Sequence, residues 1–545
     1  MHSYIRPNQF VAIRLPSDQT RLTKLVPNTT VSLGKYGNFA ANQVIGRPFH
    51  LTFEILDTPG SDGYQLRVVS ATELHAEILI EEAEADGEGD ESNSGEGTPM
   101  RTNRETVDDN ATQRLTLQEI EELKKEAGGS GKDIVAKIME SHTALDQKTA
   151  FSLAKYTLRK RKKYMRRFTV LPMDVSLLAN YALEERDPGK SMELRDEHIG
   201  LIGCLANVHH GEQIALDSVK PNGRYLVVDE TGGLLVAAMA ERMGILYPPD
   251  EEDLADEEAS AADDGNKQTQ SDTSTPRWRR PRPMSASGNT ITVVHAYSQP
   301  NLSLLKYFGY DASQPDESHP LHTHLKSVSW LQLVDPALDP ILSREPTVMP
   351  EEELADLKPN KRTAYFFKRN RWERTKRVVD EARGGGFDGL VVATLLDHAG
   401  VMKNLIPLLA GSAPVAVYSP HIEPLVNLVD LYSTARRTAF INRKRDLEAR
   451  TDQDAETTLS SLLDEFSLDP TQILPPTLQT LRVRAWQVLP GRTHPLMTAR
   501  GGAEGYIFHG IRVIPTAAPV QAAGNFRKRR KVVVASHDRD VEMTS

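Results

Sequence analysis

Between residues 10 and 80, apolar residues come in short runs that partly alternate with polar ones and stop at Asn, Gly, Asp or Pro. VAIRLP, TVSLG, HLTFEI and YQLRVVS are the clearest of them. Alternation without helical spacing predicts strands, and several short strands in succession predict an N-terminal β-barrel-like domain over residues 1–80. From Thr116 the period changes. LQEIEELKKE repeats Leu and Ile at helical spacing, with Thr116 as cap and Glu119 three residues on. A helical, basic connector is expected over residues 116–168.

Beyond about residue 168, apolar strands alternate with amphipathic helices. YLVVD (225–229), ITVVHAY (291–297), LVVAT (390–394) and VAVYS (415–419) are continuous apolar runs, and LLVAAMAERMG follows the first. Strands apolar on both faces, separated by helices, predict a doubly wound parallel sheet over residues 169–520. The fold class is therefore α/β plus β.

Composition changes the picture in one respect. The formal net charge of −10 argues against a polyanionic partner. Much of that acid, however, lies in residues 81–96 and 250–264, which are too polar to pack and predict a linker (81–115) and an insertion (248–289). A basic tail is expected over 521–545, and its RKRRK run at 527–531 suits nuclear import or a weak nucleic-acid contact. One cysteine, Cys204, excludes an intrachain disulfide framework. No apolar run is long enough for a membrane span, so a soluble intracellular protein without a membrane partner is expected.

The densest charge cluster is basic. Lys155, Arg159, Lys160, Arg161, Lys162, Lys163, Arg166 and Arg167 stand among Tyr156, Tyr164 and Phe168. Such density repels itself unless solvated or matched by an anion, and interleaved aromatics suit stacking on bases, so these eight are the candidate RNA-binding residues. A solvated helix face, or a nuclear-localisation signal, is the bland alternative. Residues 361–377 and 436–445 are two further basic and aromatic segments, which either extend an RNA surface or are helix faces whose long side chains lie over a core.

The turn after YLVVD reads Asp229-Glu230-Thr231-Gly232-Gly233-Leu234-Leu235. Nucleotide-cofactor turns at this position carry several glycines, so that backbone can approach the ligand. Here Asp229, Gly232 and Gly233 keep only a compressed version, and Leu234 and Leu235 are expected to fill the ligand's space. The second strand ends in His295, where an acid is needed for ribose hydroxyls. The fourth ends in Thr394, where base chemistry calls for a carboxylate. Asp397 comes one turn late and reads as a helix cap. His209 and His210 lack a second ligand pair, so no metal is expected. No catalytic residue is assigned, and no cofactor is expected in this chain.

The stretches LVPNTTVSLGKYGNF, IMESHTALDQKTAFSLAKYTLRKRKKYMRRFTVLP, GRYLVVDETGGLLVAAMAERMG, PNLSLLKYFGYD and HPLMTARGGAEGYIFHGIRV resemble the non-catalytic subunit of tRNA (adenine(58)-N(1))-methyltransferase. The resemblance runs from about residue 20 to 515. It implies a degenerate Rossmann-type methyltransferase domain, a homologous catalytic partner that binds S-adenosylmethionine, an α2β2 heterotetramer in the nucleus, and a share in tRNA binding. Two other readings stay open at this point: an active methyltransferase with an atypical cofactor turn, and a general RNA-binding or translation-initiation factor.

Overall fold

The computed structural model describes residues 4–56, 65–74, 115, 119, 131–142, 150–210, 223–248, 289–350, 353–354, 357–450, 462–489, 492–496 and 502–514. The expected Thr116 cap, nearly all of the acidic linker and insertion, and the basic tail lie outside these residues.

In the N-terminal part, strands β1 (Phe10–Arg14), β2 (Thr20–Lys24), β5 (Thr52–Leu56) and β6 (Gln65–Val69) are joined by β7 (Arg167–Pro172) in one antiparallel sheet of order β2-β1-β7-β5-β6. A hairpin of β3 (Thr30–Ser32) and β4 (Asn38–Ala40) stands beside it. Among the described residues no pairing joins β2 to β6, so the barrel-like closure is not seen. The boundary expected at 168/169 falls inside β7, which lies between β1 and β5 at the sheet's centre. Its burial explains the placement: Phe168 stacks on Phe39 and Phe53, with ring centroids 4.6 and 5.5 Å away.

Helices α1 (Gly131–Glu140) and α2 (Ala150–Tyr164) form the connector and share a small core of Ile134, Val135, Ile138 and Tyr164. After β7 come α3 (Val175–Glu184) and α4 (Asp196–Leu205), and then the large sheet begins.

That sheet contains β8 (Arg224–Asp229), β9 (Thr290–His295), β10 (Leu325–Ser329), β11 (Gly389–Ala393), β12 (Pro414–Ser419), β13 (Thr477–Gln479) and β16 (Tyr506–Ile511). A separate hairpin pairs β14 (Trp486–Leu489) with β15 (Arg492–Pro495). The sheet order is β10-β9-β8-β11-β12-β16-β13, parallel through β12, with β16 antiparallel to both its neighbours. This is a Rossmann-like, doubly wound mixed sheet. Its strand order reverses between β8 and β11, so the ligand crevice of the fold lies at their carboxyl ends.

The period of two sorts the strands' side chains onto two cores. Tyr225, Val227, Ile291, Val293, Val391 and Ala393 face the core shared with α3, α4 and α5 (Leu234–Met243). Leu226, Val228, Val294, Leu390 and Val392 face the other, with the end of α6 (Pro359–Arg383), α7 (His398–Leu405) and α8 (Glu423–Leu431). A last long helix, α9 (Thr434–Arg450), follows.

Burial pushes His198, His319, His324 and His398 below the ordinary imidazole value. The folded chain therefore keeps them neutral where the unfolded chain takes up protons, and their contribution to stability is lost as pH falls below about 6.5. Thermal unfolding is expected several degrees lower at about pH 5.5 than at about pH 7.5. A flat profile across that range would rule this out.

Candidate functional site

At the end of β8 the Asp229 side chain is buried, and the chain's own donors occupy it. Its Oδ1 accepts from the Thr231 N–H at 2.7 Å and the Thr231 hydroxyl at 2.6 Å, and Oδ2 accepts from the Val236 N–H at 3.0 Å. Thr231 Oγ1 accepts in turn from the Leu235 N–H at 3.1 Å. The amides at the start of α5, where a helix offers its anion site, are thus bound by a carboxylate and a hydroxyl of this turn. Burial pushes the Asp229 carboxyl upward against the pull of these donors.

Gly232 and Gly233 both have positive φ, 78° and 94°. The turn needs them, because a side chain at either would be strained. Their outer face is covered by a later loop. The Leu304 N–H donates to the Gly232 carbonyl at 3.0 Å, and a Cβ on Gly233 would come within 3.0 Å of Leu302 Cα. Leu234 and Leu235 do not fill the crevice as expected. Both are fully buried in the core under the sheet, because the first turn of α5 points them inward. The covering residues are Leu302 and Leu304.

The neighbouring strand ends are also engaged from within. Glu230 reaches across the switch point, where its Oε2 accepts from the Thr394 hydroxyl at 2.7 Å and the Leu395 N–H at 2.8 Å. The Glu230 N–H donates to the Ala393 carbonyl at 2.9 Å. His295 holds the Tyr297 carbonyl with Nδ1 at 2.8 Å, and burial lowers its pKa. Asp397 caps α7 by accepting from the Gly400 N–H at 2.8 Å. His209 Nδ1 sits 2.6 Å from the Asn207 carbonyl, close to Tyr225.

The sequence reading missed Glu230 and residues 302–304. The Asp-x-Thr spacing signals locally only the bond from Asp229 to the Thr231 N–H, and no local pattern points to Glu230 or to residues 302–304, whose partners lie about 165 and about seventy residues away in the chain.

The eight basic candidates do not share one environment. Lys155 lies on α2, as do Arg159, Lys160, Arg161, Lys162 and Lys163. Arg159 and Lys163 are exposed, and Lys160 lies 4.8 Å over the Tyr156 ring. Lys162 pairs with Asp18. Arg161 and Arg166 are half-buried. Arg167 is on β7 and only 7% exposed, 3.4 Å from Glu54 and 3.1 Å from Glu73. It is a structural cation. Tyr164 and Phe168 are buried in cores, so of the three interleaved aromatics only Tyr156 stays partly exposed.

The other basic segments differ from each other. In α9, Arg436 pairs with Asp430, Arg443 with Glu465, and Arg437 bonds carbonyls of the 470–473 turn. In α6, only Val379 and Ala382 are buried.

Comparison with known proteins agrees with the resemblance seen in the sequence. The Gcd10p family profile matches residues 4–358. A protein of Aspergillus oryzae named tRNA (adenine(58)-N(1))-methyltransferase non-catalytic subunit trm6 is 62% identical, over 98% of this chain and 96% of its own length. Its namesake in Schizosaccharomyces pombe is 30% identical, over 97% and 96%. The solved tRNA (m1A58) methyltransferase TrmI of Aquifex aeolicus aligns at 10% identity, over 94% of this chain and 100% of its own, with a TM-score of 0.35, a likeness too slight to bear on chemistry. On the profile and these identities, the chain belongs to the Gcd10p family, among relatives named as non-catalytic subunits of tRNA (adenine(58)-N(1))-methyltransferase.

Proposed function

We propose that this chain is the non-catalytic, tRNA-binding subunit of the heteromeric methyltransferase that makes N1-methyladenosine at position 58 of tRNA. It acts with a homologous catalytic subunit that holds S-adenosylmethionine, as an α2β2 heterotetramer in the nucleus. The basic run at 527–531 supports the nuclear assignment.

One observation carries the reading. Asp229 and Glu230, the acids nearest the crevice, are both bonded to this chain's own backbone and hydroxyls, and residues 302–304 lie over the glycines. A methyl donor would have to reach the same helix-start amides and glycine backbone, which are taken up or covered from within this chain. The division of labour follows: the partner positions donor and adenine, while this chain supplies grip on the RNA. Extracting a base from folded tRNA costs a few kcal/mol, which strong backbone contacts offset.

Exposed apolar side chains support the expectation of a protein partner. Leu481, Val483, Trp486, Val488 and Leu496 expose apolar area on and beside the β14–β15 hairpin, which follows the sheet's edge strand β13 in the chain. Exposed apolar clusters at a strand edge suit docking of another protein.

The test is methyl transfer from labelled S-adenosylmethionine to tRNA by this chain alone, by the homologous subunit alone and by the mixture. Only the mixture is expected to reach full turnover. Replacing Arg159, Lys160 and Lys163 by Glu, with the Asp18-bound Lys162 left in place, is expected to weaken tRNA binding across sequences. The slope of log K against log salt should fall by about 2–3. Full methylation by the isolated chain would sink the proposal, as would full activity of the homologous subunit without this one.

A further inference from the structure

Helix α6 is unlike the other helices of the sheet domain. Its 25 residues span about 37 Å, and both of its buried residues, Val379 and Ala382, lie in the last two turns. Between Pro359 and Arg377 it carries eight Lys and Arg against one acid, Glu373, and Arg369 binds that acid at 2.8 Å. One side of this part leans on the preceding loop, where the Tyr365 hydroxyl accepts from the Met349 N–H at 3.0 Å.

The other side is open. Asn360, Thr363, Ala364, Phe367, Lys368 and Arg371 recur at helical spacing and line one shallow groove of about 530 Å³. Phe367, near its middle, is 73% exposed. Among the described residues, neither Lys368 nor Arg371 has an ion-pair partner. A helix that is polar almost all round gains little from the core, and this one also holds a bare aromatic ring beside two cations that have no ion-pair partner among the described residues.

We infer that this face of α6 is a second RNA-binding surface, separate from α2, which takes an unpaired nucleotide segment of the RNA. The inference rests on the tRNA-binding reading above. A base stacks on Phe367 while flanking phosphates lie against Lys368 and Arg371. Charge complementarity argues for this occupant: cations without an ion-pair partner among the described residues attract a polyanion, and the ring beside them matches a base face. An acidic peptide would meet the cations but leave the exposed ring without an apolar partner.

The experiment uses the full chain assembled with its catalytic subunit, and measures tRNA binding by fluorescence anisotropy over a range of salt. The variant K368Q/R371Q is expected to weaken binding and flatten the log K against log salt slope by about 1.4–1.8. Phe367→Ala is expected to weaken binding about tenfold while keeping the slope, and Phe367→Trp to restore it. These positions are exposed, so circular dichroism should show folding unchanged.

If the wild-type complex binds tRNA and these variants bind with the same affinity and slope, the α6 surface is overturned and the α2 reading stands. If the wild-type complex does not bind tRNA, the parent reading falls and takes this inference with it. If the variants release the catalytic subunit on gel filtration while tRNA affinity is unchanged, the face is a protein interface and the RNA proposal is wrong.

Discussion

Replacing Glu381 by Ala is expected to lower stability by about 3–5 kcal/mol, because it strands two buried cations at once. Glu381, near the end of α6, accepts from Lys326 Nζ at 2.5 Å and lies 3.8 Å from the Arg224 guanidinium. The three side chains are 7%, 4% and 4% exposed. Apart from Glu381, Arg224 is held by the Gly385 carbonyl at 2.8 Å and the Phe387 ring at 4.6 Å, and Asp388, which accepts from the Arg224 N–H at 2.8 Å, is the one other acid that acts on it among the described residues. Glu381→Gln keeps an acceptor but no charge, so it should fall between wild type and Ala.

The pH dependence gives a second signature. Burial already lowers the pKa of Lys326 against the pull of Glu381. Without Glu381 the folded-state value drops further, so the Ala variant should regain stability as pH rises through it, when Lys326 can shed its proton. Urea unfolding at several pH values reads both effects. Wild-type stability in the Ala variant would show that the network contributes nothing.

The other large effect is expected at Asp229. Its removal leaves the Thr231 and Val236 amides and the Thr231 hydroxyl buried without their acceptor, and each orphan costs about 1–3 kcal/mol. Asp229→Ala should therefore melt well below wild type, with Asp229→Asn intermediate. The readout that separates a structural role from a ligand-binding one is S-adenosylmethionine titration of the isolated wild-type chain. No binding is expected at concentrations that saturate the catalytic subunit. Saturable binding that Asp229→Asn abolishes would mean that the crevice still holds its donor.

Sequence alone determined the elements whose cause is local. The parallel strands of the large sheet are continuous apolar runs because both faces are buried, and the structure has them within two residues of the expected bounds at β8, β9, β11 and β12. Asp397 was legible as a cap because capping acts over three residues. The lack of acids at His295 and Thr394 was also visible, since strand ends can be read from pattern. The acid-Gly-Gly turn could be seen for the same reason.

Tertiary structure decided what depends on long-range contact or on the direction a side chain takes. Leu234 and Leu235 face the core instead of the crevice because the first turn of α5 sets their phase, which spacing along the chain leaves open. The glycines are covered by Leu302 and Leu304, about seventy residues away, and no local pattern specifies that closure. The basic cluster reads as one segment, yet it crosses from α2 into β7. At that junction the period changes from 3.6 to 2, and Arg167 and Phe168 turn inward to partners over a hundred residues earlier, Glu54 and Phe53. Local spacing sets which element forms; only packing against distant residues sets which face of it is left for a partner.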